Sequence, residues 1–301
     1  MTLDDPTYLS LWERSPTRAP FTHPVAVRAF ADAFGLAPRV VATEGTALSI
    51  LEKRRGPLVA ASLPPLAPVW RPLLAETPAE AETHARSSPL DGLLARLDAE
   101  ADQHTLALGG DDLRPYTWAG WTATPRSTYR LALTGDVASG YSSAVRRMIR
   151  KEADAVDLVE DGALAPEAVR LMVASYQRQG SDLGLDGQAL TRLAVAFVEG
   201  GLARVFAAQR SGATEAAVVA ADDGQTAFYW IAGSTPGPAM TVLVDHTLRQ
   251  LAADGIEGFD FCGANTPSIA EFKRRFGPRL APAPIVRRVT HPVLRVADRL
   301  R

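Results

Sequence analysis

The chain has 301 residues, 47% of them hydrophobic and 22% charged, the profile of an ordinary globular protein with room for two domains rather than a disordered or membrane-embedded one. A formal net charge of −2 and a pI near 6.2 exclude the basic surface of a general nucleic-acid binder, so DNA is not an expected partner. The single cysteine, Cys262, excludes an intramolecular disulfide. With five scattered histidines no zinc-type spacing arises, and no metal is expected.

The N-terminus, "MTLDDPTYLS", is acidic and lacks a basic segment followed by an apolar one, which predicts a cytoplasmic protein without a secretory signal. Apolar runs such as "AAVVAA" at 216–221 fall far short of the roughly 18 to 20 residues that span a bilayer. "THPVAVRAFADAFG" (22–35) has helical spacing, with a threonine before it and Gly35 where a left-handed cap is cheap. Three β-like runs follow, "RVVAT", "ALSILEK" and "GPLVAASL", the first two separated by Glu44 and Gly45 as a hairpin turn. A proline-rich irregular connection over 64–90 leads to a helix at 89–102 and a strand at 104–108.

The second half repeats this order. Helices are predicted at 140–153, 165–180 and 188–199, then strands "ARVFAAQR", "EAAVVAAD" and "QTAFYWIAG", with Asp223-Gly224 as a hairpin signal. A helix at 239–253, the strand "IEGFDF", a helix at 267–276 and the strand "APIVRRV" complete it. The expectation is an α/β (α+β) protein of two related domains, 1–125 and 126–301, each a mixed, mainly antiparallel sheet flanked by helices.

The chain uses three lysines against 29 arginines, so Lys273 within "FDFCGANTPSIAEFKRRFG" stands out. With Asn265 or Thr266 as N-cap and Pro267 first in the helix, Ile269, Phe272 and Phe276 form the apolar stripe. Lys273 lies about 70° from its centre, placed either to snorkel at a boundary or to send an ammonium into a cleft. Glu271 and Arg275 form an i,i+4 pair. Arg146, Arg147, Arg150 and Lys151 occupy about 140° of one helix, a positive patch for phosphates or simply a solvated face. Asp260 could orient an amine or act as a base, or merely precede a turn. Tyr229 and Trp230 point oppositely on a strand, one toward the core and one toward a pocket. Cys262 reads as a small buried residue, His246 as structural and His23 as a cap.

"TYRLALTGD", "SSAVRRMIRKEA", "FYWIAG" and "GFDFCGANTPSIAEFKRRFG" together resemble the FemAB/FemX-like branch of the GNAT acyltransferase superfamily. That branch includes peptidoglycan aminoacyltransferases and CelD-type acyltransferases. The resemblance covers 126–290 in sequence and the first 110 residues in layout. It implies two tandem GNAT-like domains and transfer of an acyl or aminoacyl group to an amine, or a hydroxyl, of a cell-envelope or sugar-linked precursor. By that likeness Phe272 and Lys273 sit at the acyl-transfer site, Lys273 stabilising the oxyanion and Phe272 shaping the donor pocket. Asp260 and Asn265 would orient the acceptor, and the four cations would hold phosphates. The usual glycine-rich acyl-CoA turn is replaced by "AGSTPGPAMTVL". There the backbone N–H groups of Gly237, Ala239 and Met240 are the expected pyrophosphate cradle, with Pro238 removing one donor. Acyl-CoA and aminoacyl-tRNA thus stand as alternative donors, the unmatched turn counting against the first, with a silent binding protein as the alternative from outside enzymology.

Overall fold

The computed structural model describes residues 1–76, 89–110, 112–292 and 294–295. It divides into two compact units, one formed by 1–126 with 282 onward, the other by Ser127–Ala281. The last strand was expected in the second domain. It belongs instead to the first, because it pairs there with strands on both sides.

The first unit opens with α1 (Pro6–Arg14), capped by Asp5, and α2 (Pro24–Phe34). The α2 cap is His23, whose Nδ1 accepts from the Val25 amide, and Gly35 ends the helix with φ 61°. The strands are β1 (Ala37–Thr43), β2 (Thr46–Arg55), β3 (Leu58–Ala61) and β4 (Leu73–Leu74). After them come α3 (Pro89–Glu100), β5 (Gln103–Ala107), α4 (Arg114–Trp118) and β6 (Thr122–Thr124). Glu44 and Gly45 make the β1–β2 turn, as their pairing pattern predicts.

The second unit contains β7 (Ser127–Ala132), α5 (Ser143–Glu152), β8 (Asp157–Glu160), α6 (Ala165–Arg178) and α7 (Gly187–Glu199). Then come β9 (Ala203–Arg210), β10 (Ala213–Asp222), β11 (Thr226–Ser234) and α8 (Ala239–Ala253). It closes with β12 (Gly258–Asp260), α9 (Pro267–Arg274) and β13 (Arg279–Pro282). The returning strand of the first unit is β14 (Ile285–Val289), so that sheet runs β1-β2-β3-β5-β14-β6 with β4 on β2.

The second sheet runs β13-β7-β12-β11-β10-β9-β8, with β11 and β12 parallel. Every residue of β10 from Ala216 to Ala221 is fully buried. A strand covered on both faces needs apolar residues at every position rather than alternate ones, which is why this segment reads as a continuous run. Ala216, Val218 and Ala220 join the core built on α5 and α8. Helix α6 packs against β11 so closely that its backbone lies where Gly233 would carry a Cβ.

Candidate functional site

The site arises where two parallel strands part. Pairing of β11 with β12 stops at Phe228 and Asp260, while β11 runs on to Ser234. From Tyr229 onward β11 has no strand partner on that side among the described residues. Backbone groups along such an edge need other partners or a ligand. A cavity of about 590 Å³ opens there, lined from β11, from the turn after β12, and from helices α5, α6, α8 and α9.

A β-bulge shapes its wall. Val219 pairs with Ile231, but Ala220 pairs with Tyr229, leaving Trp230 as the extra residue. The Trp230 ring packs on Phe197 at 4.2 Å between centroids, whereas Tyr229 packs toward Phe259 and Phe261. Both nevertheless line the cavity, a correction to the expectation that one would belong to the core alone. The Tyr229 hydroxyl donates to Met240 Sδ at 3.1 Å, and burial pushes its pKa up.

Lys273 is the buried residue of α9, with 5% of its surface exposed. Its Nζ donates to the carbonyls of Phe261 (2.5 Å), Cys262 (3.3 Å) and Gly263 (3.0 Å), and lies 5.5 Å from the Tyr229 ring centroid. Burial pulls its pKa down, against the opposing pull of Cys262 and Asp260. Three carbonyl acceptors need three N–H donors, and only the ammonium form has three. Ile269 and Phe272, read from the sequence as a buried stripe, are half-buried because they face the cavity. Phe276 is fully buried. Thr266 is the N-cap of α9 and makes no side-chain cap bond.

The turn that Lys273 clamps is also held from below. Asp260, 3% exposed, accepts from Thr128 Oγ1 (2.5 Å), from the Cys262 amide (2.8 Å) and from Arg130 Nε (3.1 Å). It does not line the cavity, and its oxygens are engaged, so it shapes the turn rather than standing free as a base. Cys262 is in the left-handed region at φ 56° and Gly263 at φ 100°. The Cys262 thiol lines the cavity, and burial pushes its pKa well up. Asn265 bonds the backbone of Ser127 through both side-chain atoms and is likewise absent from the lining.

Gly237 and Met240 line the cavity at the start of α8, but Ala239 is buried away from it. The α8 N-cap, Pro238, offers no side-chain acceptor. First-turn amides without a capping side chain are available to an anion. Arg146, Arg147, Arg150 and Lys151 are exposed on α5 and outside the lining, although Met148 of the same helix is part of it. Lys151 pairs with Glu152 at 3.3 Å. The sequence predicts α6 as a helix but singles out none of its residues for the site, to which it contributes Met172, Ser175, Tyr176 and Arg178, with Gln179 just beyond its end. Arg178 donates to Ser175 Oγ and to the Ser234 carbonyl, tying α6 to the end of β11. No carboxylate or imidazole is found among the described lining residues.

Residues 139–274 match the family model of the acetyltransferase (GNAT) domain. No curated protein matches the sequence. Among solved structures, FemX aligns over 99% of both chains at 12% identity with a TM-score of 0.74. L-PGS from Bacillus licheniformis aligns over 99% of this chain and 96% of its own at 11% identity, TM-score 0.62. A tandem GNAT protein from the clavulanic acid biosynthesis pathway aligns over 97% and 98% at 15% identity, TM-score 0.56. Residues 139–274 therefore resemble the GNAT acetyltransferase domain, and the chain has the tandem GNAT-like fold, two mixed sheets flanked by helices.

Proposed function

We propose that the second unit is the catalytic half of a cytoplasmic N-acyltransferase. It would move an acyl or aminoacyl group from an activated donor to an amine, or less readily a hydroxyl, of a cell-envelope or sugar-linked precursor. The observation that carries this reading is the parting of β11 and β12 over a cavity that also meets the uncapped start of α8. A thioester donor laid along the free edge of β11 would place its phosphates at the first-turn amides of α8, around Gly237 and Met240. One of the fold relatives is described by its state without AcCoA, which supports acyl-CoA as the donor here.

In the reaction the acceptor nitrogen adds to the acyl carbonyl carbon, and the carbonyl electron pair moves onto oxygen. The tetrahedral species then expels the thiolate, which leaves with the proton given up by nitrogen. Backbone amides on the edge of β11 beyond Phe228 would be the donors to that oxyanion, the kind of fixed dipole that most lowers such a barrier. Lys273 enters as a fixed charge on the cavity lining and as the clamp on the Phe261–Gly263 turn, since its three protons are already donated to carbonyls. Phe272 shapes the donor wall. Asp260 and Asn265 act at one remove, by holding the turn and the approach to α9.

The exposed cations of α5 support a second reading, in which the donor is an aminoacyl-tRNA whose phosphates they meet. Release of free thiol from acyl-CoA in the presence of amine acceptors tests the first reading. Acceptor-dependent release that Lys273→Met lowers is the expected result. Absence of release with every acyl-CoA, together with salt-sensitive binding of charged tRNA, would move the assignment to the second. Ligand binding without turnover of either donor would leave a silent binding protein.

A further inference from the structure

All three methionines after Met1 lie on this one cavity: Met148 from α5, Met172 from α6 and Met240 from α8. In a chain of this length their convergence from three separate helices is a compositional choice at one place. Methionine is unbranched and adjusts its shape, so methionine-rich walls accept apolar groups of varying length. Trp230, Ile269 and Phe272 add rigid apolar surface between them. An acetyl group has a single methyl to bury and would touch little of the apolar wall of this cavity of about 590 Å³. Met148 is 38% exposed, so the apolar wall continues outward on the α5 side.

From this geometry we infer that the cavity takes a flexible apolar acyl chain of medium or greater length, not acetyl and not a polar aminoacyl group. The inference rests on the donor reading above and names its acyl class. The polar end of the cavity, where Tyr229 and Lys273 meet and Met240 accepts from the Tyr229 hydroxyl, faces the reacting carbonyl, and the chain runs from there toward Met148 and Met172.

The test is calorimetric titration of the whole protein with two series of thioesters carrying the same acyl groups, from acetyl to decanoyl. One series is acyl-CoA, with free CoA as reference, and the other is S-acyl-N-acetylcysteamine, which has no phosphates. Affinity is expected to rise about two- to fourfold per methylene in both, the upper figure being about 0.8 kcal/mol for each buried CH₂. Met148→Ala, at a partly exposed position, is expected to lower the decanoyl-to-acetyl ratio, and Met172→Ala to do the same if it folds. A rise in the phosphate-free series without any binding of CoA would sink the CoA donor and keep the acyl-chain inference. Binding of CoA with affinities flat within about twofold across both series would keep the donor and overturn the inference. Flat behaviour with no CoA binding would overturn both.

Discussion

Lys273 and Phe261 are joined by a 2.5 Å bond from the buried ammonium to the Phe261 carbonyl, the shortest of three that close the turn after β12. The contact ties α9 to the point where the two central strands part. Lys273→Met keeps the stem but leaves three carbonyls without that donor. It is expected to lower unfolding stability by about 2 to 4 kcal/mol in urea. Lys273→Arg should not restore it, because a planar guanidinium cannot copy a compact three-proton donor. Stability equal to wild type in Lys273→Met would show that the clamp is dispensable.

Gly233 offers a sharper packing test. A Cβ there would fall 2.1 Å from the Met172 amide nitrogen and 2.2 Å from the Leu171 carbonyl carbon. These are backbone atoms of α6, so Gly233→Ala must push the helix off β11. A loss of about 3 kcal/mol or more is expected by denaturant unfolding, in the range of severe overpacking. Gly187, at the start of α7, has nothing within 4 Å of the same position, and Gly187→Ala should change stability by no more than about 1 kcal/mol.

Much of this architecture is legible in the sequence. The unbroken apolar run of β10 announces a strand covered on both faces, and the rarity of lysine singles out Lys273. What the sequence conceals depends on pairing between distant segments. The bulge at Trp230 is a property of the β10–β11 register, so local alternation cannot show that Tyr229 and Trp230 share a cavity. Asp260 looks like a free carboxylate until Thr128 and Arg130, some 130 residues away, are brought onto it. The return of β14 to the first sheet and the meeting of three methionines are likewise tertiary facts.

The absence of a carboxylate or imidazole from the described lining predicts how turnover responds to pH. The acceptor amine must arrive unprotonated or lose its proton to the leaving thiolate or to water. The value of kcat/KM should therefore rise with pH, following the amine's own pKa, near 10.4 for a lysine-like acceptor. A plateau reached by about pH 7 with such an acceptor would instead reveal a protein base.

His23 predicts an acid-sensitive first unit. Burial, aided by Arg28, lowers its pKa from 6.5 to about 4, and its Nδ1 must stay unprotonated to accept from Val25. Between these values the unfolded chain binds the extra proton, so stability falls as pH drops from about 6.5 to about 4. His23→Asn, which keeps a capping acceptor without titrating, should flatten this part of the Tm against pH curve. An unchanged curve would remove His23 from the acid response.

The central claim, a donor site where β11 and β12 part, is tested most directly by thermal melts of the whole protein with free CoA and acyl-CoA. At 100 times its Kd a bound ligand adds about 2.7 kcal/mol to the folded state. A raised Tm with free CoA, retained by Met148→Ala and reduced by Gly237→Glu, which introduces a negative charge, is the predicted result. An unshifted Tm with CoA and every acyl-CoA at millimolar concentration would contradict the account.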